Sequence, residues 1–125
     1  MVGRTNAGGG ATEPYIEETY NPDGNLIDVR LYGYDRIRSY AFYNCANLAL
    51  TSLPSGITSI GKNAFGECTG LTSITFTGTP TSIESNAFQG CTNLRTINVP
   101  WANGAVSGAP WGATNATINY NYRGA

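Results

Sequence analysis

The sequence predicts a single β-rich α/β solenoid, a short right-handed coil whose strands form a parallel ladder. The main observation is that the phrase I-x-x-x-A-F-x-x-C occurs three times at a constant step of 23 residues, ending at Cys45, Cys68 and Cys91. A run of spaced aliphatic residues follows each occurrence, and Gly, Pro, Ser and Thr separate the runs. Units of this length cannot bury their apolar side alone, so we expect them to stack.

The composition excludes several function classes. The 125-residue chain has seven basic and eight acidic residues, a balance that argues against nucleic acid binding and against charge-driven disorder. Histidine is absent, which removes Ser–His and Cys–His nucleophile pairs and every histidine metal ligand. There is no run of about 18 apolar residues and no signal peptide is seen, so we expect neither membrane insertion nor a cleaved leader.

The N-terminal part falls into two segments. Residues 1–13 are glycine-rich and have no apolar rhythm, so we interpret them as a linker or docking arm. Residues 14–32 carry two strand-like runs around Asn-Pro-Asp-Gly, a good β-turn sequence. We expect a β-hairpin that caps the stack, with its second strand, Leu26 to Tyr32, doubling as the first solenoid strand.

Residues 26–100 hold the repeats, which begin with a strand-like phrase. The spacing of Leu71, Ile74 and Phe76 ends in alternation, which predicts a short strand entered from a bend. In the preceding unit, Thr51 and Leu53 occupy the positions of Ile74 and Phe76. We therefore expect Thr51 to point into the core.

The second phrase of each unit predicts a brief helix or 3₁₀ segment. From Ile60, the steps to Ala64, Phe65 and Cys68 fit one face of a short helical turn. Stacked coils would place each such residue on its own copy in the next coil. The residues expected to build these structural columns are Phe42, Phe65, Phe88, Cys45, Cys68 and Cys91.

The three cysteines could ligate a metal or form a disulfide framework, but the pattern favours a ladder of buried free thiols. Their number is odd, C-x-x-C spacing is missing, and each falls at the same corner of its coil. A free cysteine behaves as a small hydrophobic residue. Oxidation or metal capture is the alternative, and we predict neither a metal nor a cofactor.

The period breaks after Pro100. Residues 101–125 contain two tryptophans, several glycines and a final alternating run that starts at Ile118. Trp101 and Trp111 are large enough to seal the open end of a stack. We expect an aromatic C-terminal cap followed by a last strand.

The repeated units resemble the BspA-like (Treponema-type) leucine-rich repeat, and the resemblance covers roughly residues 26–100. It implies a curved solenoid used on bacterial surfaces, in secreted adhesins and in phage-encoded proteins, for binding rather than catalysis. The C-terminal segment resembles the ending of leucine-rich repeat proteins from prophage tail regions. The opening MVGRTNAGGG resembles a stretch of phage minor structural proteins. These two similarities imply a phage or prophage source.

A binding surface is expected where strand residues lie between the buried positions, because their side chains must point outward. Four strands at about 4.8 Å give a face roughly 15–20 Å wide, which suits a short peptide, a glycan patch or a neighbouring subunit. Its hydroxyl-rich character suits hydrogen bonding more than electrostatic steering. The candidate binding face consists of Asp28, Arg30, Ala49, Leu50, Ser52, Thr72, Ser73, Thr75, Arg95, Thr96 and Asn98.

Two further groups of side chains were weighed as sites. Tyr40 and Tyr43 bracket Ala41 and Phe42 and should be surface contacts, able either to stack a sugar or to anchor a protein. The acidic residues are scattered over different corners of the coils, so no carboxylate pair for glycoside hydrolysis is predicted.

The functional hypothesis is a non-enzymatic binding or adhesion module, a phage or prophage structural accessory protein. Its expected partner is a protein or glycan on a host or cell surface, or another virion protein, and neither nucleic acid nor a membrane. The chain could be oligomeric or part of an assembly, located on a virion or extracellularly at a cell surface. The alternatives are a purely structural assembly module docked through its N-terminal arm, and a bacterial cell-surface adhesin.

Overall fold

A computed structural model describes residues 2–6 and 15–123, which form a β-solenoid of about four turns. No helix occurs within these residues. Their strands are β1 (Val2–Asn6), β2 (Tyr15–Tyr20), β3 (Leu26–Tyr32), β4 (Arg36–Ile37), β5 (Ser52–Leu53), β6 (Ser59–Ile60), β7 (Ser73–Phe76), β8 (Ser82–Ile83), β9 (Thr96–Asn98) and β10 (Thr117–Asn119).

The strands form three sheets. An antiparallel sheet has the order β1-β2-β3, and two parallel ladders have the orders β4-β6-β8 and β5-β7-β9-β10. In the longer ladder Ser52 pairs with Thr75 and Thr75 pairs with Asn98. In the shorter ladder Ser59 pairs with Ser82. These partners are all one repeat apart, so the predicted stacking of coils into parallel ladders is confirmed.

The core is a set of columns that run along the stack. The rings of Phe42 and Phe65 lie 5.4 Å apart, and those of Phe65 and Phe88 also lie 5.4 Å apart with only 6° between their planes. Leu71 and Leu94 are fully buried beside them. Each large apolar side chain therefore packs on its own copy in the next coil.

The phrase that predicted a helix forms a turn instead, so the α/β part of the predicted fold class is wrong for the described residues. The Cys45 N–H donates to the Phe42 carbonyl three residues back, at 3.2 Å. The Phe42 N–H, however, donates to the Ala64 carbonyl of the next coil at 2.8 Å, and the Asn44 N–H donates to that of Gly66 at 2.7 Å. Because alternate N–H groups bond the neighbouring coil, an α-helical ladder cannot propagate.

The prediction that β3 doubles as the first solenoid strand is also wrong, since β3 belongs to the hairpin sheet. Among the described residues, one backbone bond joins it to the second coil, from the Ala49 N–H to the Ile27 carbonyl at 2.8 Å. Beyond Ile27, β3 pairs only with β2. Two-stranded antiparallel ribbons twist more strongly than larger sheets, which carries β3 away from the parallel ladder.

The predicted N-terminal arm is only partly described. Residues 2–6, inside the segment interpreted as a linker, form β1 and pair with β2. The three consecutive glycines 8–10 of the same segment lie outside the described residues.

Residues 101–122 form a last, shortened coil. The Ala113 N–H donates to the Pro110 carbonyl at 3.0 Å, as the Cys91 N–H does to the Phe88 carbonyl one coil earlier. The strand that follows this turn, β10, pairs in parallel with β9.

An aromatic cluster fills this last coil. The ring of Trp101 lies 5.2 Å from that of Phe76 and 6.1 Å from that of Trp111. The Trp111 indole N–H donates to the Ser107 carbonyl at 2.9 Å, whereas the buried indole N–H of Trp101 has no partner among the described residues. The two tryptophans are thus both buried but differ in whether their polar atom is satisfied.

Candidate binding face

One column of polar side chains crosses the candidate binding face from coil to coil. Ser52, Thr75, Asn98 and Asn119 lie in register on β5, β7, β9 and β10. The side-chain amide of Asn98 donates to the Thr75 hydroxyl at 3.1 Å, and that of Asn119 donates to the Asn98 side-chain oxygen at 2.8 Å. These bonds fix the side-chain rotamers, while each amide keeps a second N–H for a partner.

A second column lies beside the first. Ser73 pairs with Thr96, and Thr96 pairs with Thr117. Thr72 and Arg95 precede these residues and are exposed. Ser73, Thr75, Thr96 and Asn98 are half-buried, so hydroxyl and amide groups dominate a compact surface with one exposed cation.

Leu50 does not belong to the candidate binding face, which corrects its sequence-based placement. Its side chain is only 5% exposed and joins the core, whereas Thr51, expected in the core, is exposed. Burying a leucine side chain gains about 1.5–3 kcal/mol. Burying a threonine hydroxyl without a hydrogen-bond partner costs free energy instead. The irregular chain before β5 accommodates the exchange because strand pairing starts only at Ser52.

The first rows of the candidate binding face border a cleft of about 400 Å³. One wall is formed by residues 28–32 of β3 and the other by residues 50–54 around β5. The cleft begins where the Ala49–Ile27 hydrogen bond ends and the two segments separate. Its lining includes four residues of the predicted face, namely Asp28, Arg30, Leu50 and Ser52.

Backbone polar groups point into this cleft. The Thr75 N–H donates to the Thr51 carbonyl at 2.9 Å, so that carbonyl faces β7. Neighbouring strand residues direct their backbone groups to opposite sides, which turns the N–H and C=O of Ser52 towards β3. No described residue of β3 bonds them. The edge of β5 can therefore accept another hydrogen-bonding strand.

Charges of both signs stand at the cleft. Asp28 and Arg30 lie on one wall, and the only ion pair among the described residues is elsewhere, between Arg36 and Asp35 at 3.7 Å. Tyr32 on the same wall stacks on Tyr15 with ring centroids 4.6 Å apart. The cleft thus offers a carboxylate, a guanidinium and an aromatic ring around an open backbone edge.

The cysteines form a column of free thiols rather than a reactive site. The Sγ of Cys68 donates to the Phe42 carbonyl at 3.1 Å, and that of Cys91 donates to the Phe65 carbonyl at 2.9 Å. Burial raises the pKa of Cys68 to about 12 and that of Cys91 to about 11, so both stay protonated at neutral pH. Cys45 is half-buried, and burial raises its pKa as well.

Two searches for other kinds of site gave negative results. The described part of the chain has no cluster of three or more His, Cys, Asp or Glu side chains that could hold a metal ion. It also has no helix with the length and apolar character needed to cross a membrane.

Sequence reasoning missed the fourth row of the face. Thr117 and Asn119 extend both polar columns, but the last coil is shorter than 23 residues and hides them from a search at constant period. A local signal exists, because the tripeptide Thr-Ile-Asn occurs on both β9 and β10. Repetition of the strand sequence, rather than of the whole coil, would have found the row.

Comparison with known proteins identifies the repeat. The family described as "BspA type Leucine rich repeat region (6 copies)" matches residues 32–106, more than half of the chain. No curated protein and no solved structure matches significantly. Leucine-rich repeats of this kind are binding and adhesion modules. With its parallel ladders and repeated Ala-Phe turns, the chain belongs to the BspA-type leucine-rich repeat family.

Proposed function

We propose that this chain is a non-enzymatic protein-binding module for adhesion, and that its partner contacts the candidate binding face and the cleft beside it. The observation that carries the proposal is the cleft between β3 and β5, where the backbone of Ser52 faces open space. An extended segment of a partner protein can add there as a strand, with its main chain bonding the free edge.

The side chains around the cleft would select the segment. Arg30 and Asp28 are available to pair with opposite charges of the partner, because neither makes an ion pair among the described residues. Beyond the cleft, the threonine and asparagine columns continue the contact with groups suited to hydrogen bonds. Charge selects the end of the segment, and the neutral face holds its body.

The surface is small for a tight one-to-one complex. A stable interface buries roughly 800 Å² per partner, more than a face of four short strands offers. We therefore place the module in a setting where many copies act together, so that avidity compensates for weak single contacts. A virion or a cell surface provides this setting.

The proposed setting is a phage or prophage structural accessory protein that contacts a host surface or another virion protein. The similarity of both chain ends to phage structural proteins supports it. A bacterial cell-surface adhesin, and a structural module docked through the N-terminal arm, are the alternatives. In each of them the hairpin and the Trp101–Trp111 cluster would cap the stack, leaving the candidate binding face as the contact surface.

Selection from a random peptide library against the full chain tests the cleft. Selected peptides should bind the wild-type chain and lose at least tenfold in affinity for Ser52→Tyr, which fills the cleft. Ser85→Tyr is the matched control, since Ser85 is equally an exposed serine but lies outside the cleft. Failure to select any peptide, or equal affinity for both variants, would rule out the cleft as a peptide site.

The setting is tested separately. Virions lacking the chain should adsorb poorly to host cells if it is an accessory adhesion protein. Normal adsorption, together with loss of particle assembly, would instead favour the structural alternative.

A further inference from the structure

Two tyrosines stand exposed on the turn between β4 and β5. The side chains of Tyr40 and Tyr43 are 55% and 46% exposed, the highest values among the large apolar and aromatic residues described. Their rings meet edge to face with centroids 5.3 Å apart. A side chain at Gly66 of the next coil would come within 2.9 Å of the Tyr43 ring. The absence of a side chain there lets Tyr43 lie flat across two coils.

The backbone of Tyr40 is strained. Its φ is +61°, in the left-handed region that bulky residues rarely adopt. The equivalent position of the next coil holds Asn63, with φ of +48°, and asparagine tolerates this conformation better. The exposed ring of Tyr40 does not repay the cost by burial. Strain retained at an exposed aromatic residue points to a role in binding.

Cations and amides surround the two rings. The Tyr40 N–H donates to the Lys62 carbonyl at 2.8 Å, and the Ala41 N–H donates to that of Arg38 at 3.1 Å. These bonds place the two basic residues at the same turn. The Asn63 side-chain amide reaches the Tyr40 hydroxyl at 3.4 Å. The aromatic surface is thus bordered by two positive charges and a hydrogen-bonding amide.

A shallow groove of about 540 Å³ leads away from this turn. Arg36, Arg38 and Ser39 line it together with residues of β6, and Glu84 on the far side is its only acidic lining residue. Arg36 is partly neutralised by Asp35, with 3.7 Å between their charged atoms. Arg38 and Lys62 have no ion pair among the described residues, so the patch keeps a net positive charge.

We propose that Tyr40, Tyr43, Arg38 and Lys62 form a binding site for a carbohydrate that carries a carboxylate. The apolar C–H face of a pyranose ring packs on tyrosine rings, and its hydroxyls bond neighbouring amide and serine groups. The basic residues then select an acidic sugar over a neutral one. Two exposed rings among polar groups fit a sugar better than a protein, whose hot spots sit in larger, well-packed apolar surroundings.

This site is separate from the cleft of the proposed function. The four residues lie on the turn after β4 and on the chain after β6, and none of them lines the cleft. Loss of sugar binding would leave peptide binding unchanged, and the reverse also holds. The two proposals can therefore fail independently.

The test is titration of the full chain with 3′-sialyllactose and with a tetrasaccharide of uronic acid, using lactose as the neutral control. We expect millimolar or tighter binding of at least one acidic sugar, no saturable binding of lactose, and weakening as salt rises. The two acidic probes distinguish a terminal sialic acid from a uronate polymer, and either supports the site.

Variants then connect binding to the tyrosines. Tyr40→Asn should lower affinity at least tenfold while raising the melting temperature, because it relieves the strained turn. Tyr43→Gln, which introduces the side chain of Gln89 at the equivalent place, should also lower affinity at least tenfold. Tyr32→Gln, at the exposed tyrosine of the hairpin, should leave sugar affinity unchanged.

Three results would overturn the site. They are no saturable binding of either acidic sugar, full affinity in a folded Tyr40→Asn or Tyr43→Gln variant, and equal affinity for lactose. Tighter, tyrosine-dependent binding of an oligoglutamate peptide would also overturn it, in favour of an acidic protein segment.

Discussion

The middle coils and the N-terminal hairpin of this protein are built from the same short strands but packed in different ways. In the middle, Phe65, Phe88 and Leu71 are fully buried, because each has a copy of itself in an adjacent coil. In the hairpin, every residue of β2 is only half-buried. The contrast shows that stability in this fold comes from stacking along the coil axis, while strand pairing alone leaves surface available for binding.

The largest expected effect compares the middle of the phenylalanine column with its N-terminal end. Phe65→Ala should lower the free energy of unfolding by about 3–5 kcal/mol, because it empties a site enclosed by rings on both sides. Phe42→Ala should cost about half as much, since Phe42 has one ring neighbour and borders an open cavity of about 530 Å³. Denaturant unfolding measures both, and equal losses would remove the distinction between middle and end.

A second pair of variants tests the exchange of Leu50 and Thr51 beside the cleft. Leu50→Ala should cost about 2–4 kcal/mol, because its side chain is in the core. Thr51→Ala should change stability by no more than about 0.5 kcal/mol, because Thr51 is exposed. The reverse order in thermal and denaturant unfolding would mean that the original alternation was right.

The thiol column predicts alkaline instability that originates in the middle coils. The pKa of Cys68 is raised to about 12 and that of Cys91 to about 11, so above pH 9 these thiols ionise in the unfolded chain before they ionise in the folded one. Stability should be constant below pH 8 and fall above pH 9, by about 1 kcal/mol per thiol at pH 10. Melting temperature against pH checks the slope.

The double variant Cys68→Ala with Cys91→Ala supplies the control for this slope. It should be less stable at pH 7 but should lose less stability between pH 8 and pH 10. An unchanged slope in the double variant would assign the alkaline loss to other groups.

The smallest expected effect lies on the candidate binding face. Ser73→Ala should leave the unfolding free energy within about 0.5 kcal/mol of the wild type, since Ser73 is half-buried and has no side-chain hydrogen bond among the described residues. Thermal unfolding is sufficient to measure it. A loss above about 2 kcal/mol would mean that the two faces of β7 are interchanged.

The repeat made the stacking of coils predictable, because one constant step fixes the register of every ladder. Serine 59 lies opposite Ser82 for the same reason that Cys68 follows Cys45 by one period. The periodicity also indicated the outward rows at Thr75 and Asn98, which is as far as spacing alone could locate the candidate binding face.

Three features could not be predicted, because each depends on contacts between segments. The Ala-Phe turns have helical spacing, but their alternate N–H groups bond the next coil. Leu50 and Thr51 exchange places because burial favours the leucine over regular alternation. β3 leaves the ladder because it pairs along its length with β2, and the cleft that results appears in no sequence pattern.

A double-mutant cycle on the phenylalanine column tests the stacking of coils most directly. Phe65 and Phe88 are nearest neighbours, so their alanine variants should show a coupling energy of about 0.5–1.5 kcal/mol. Phe42 and Phe88 are separated by Phe65, and their coupling should be near zero. Equal coupling for both pairs, or none for Phe65 and Phe88, would contradict a solenoid in which each coil packs on the next.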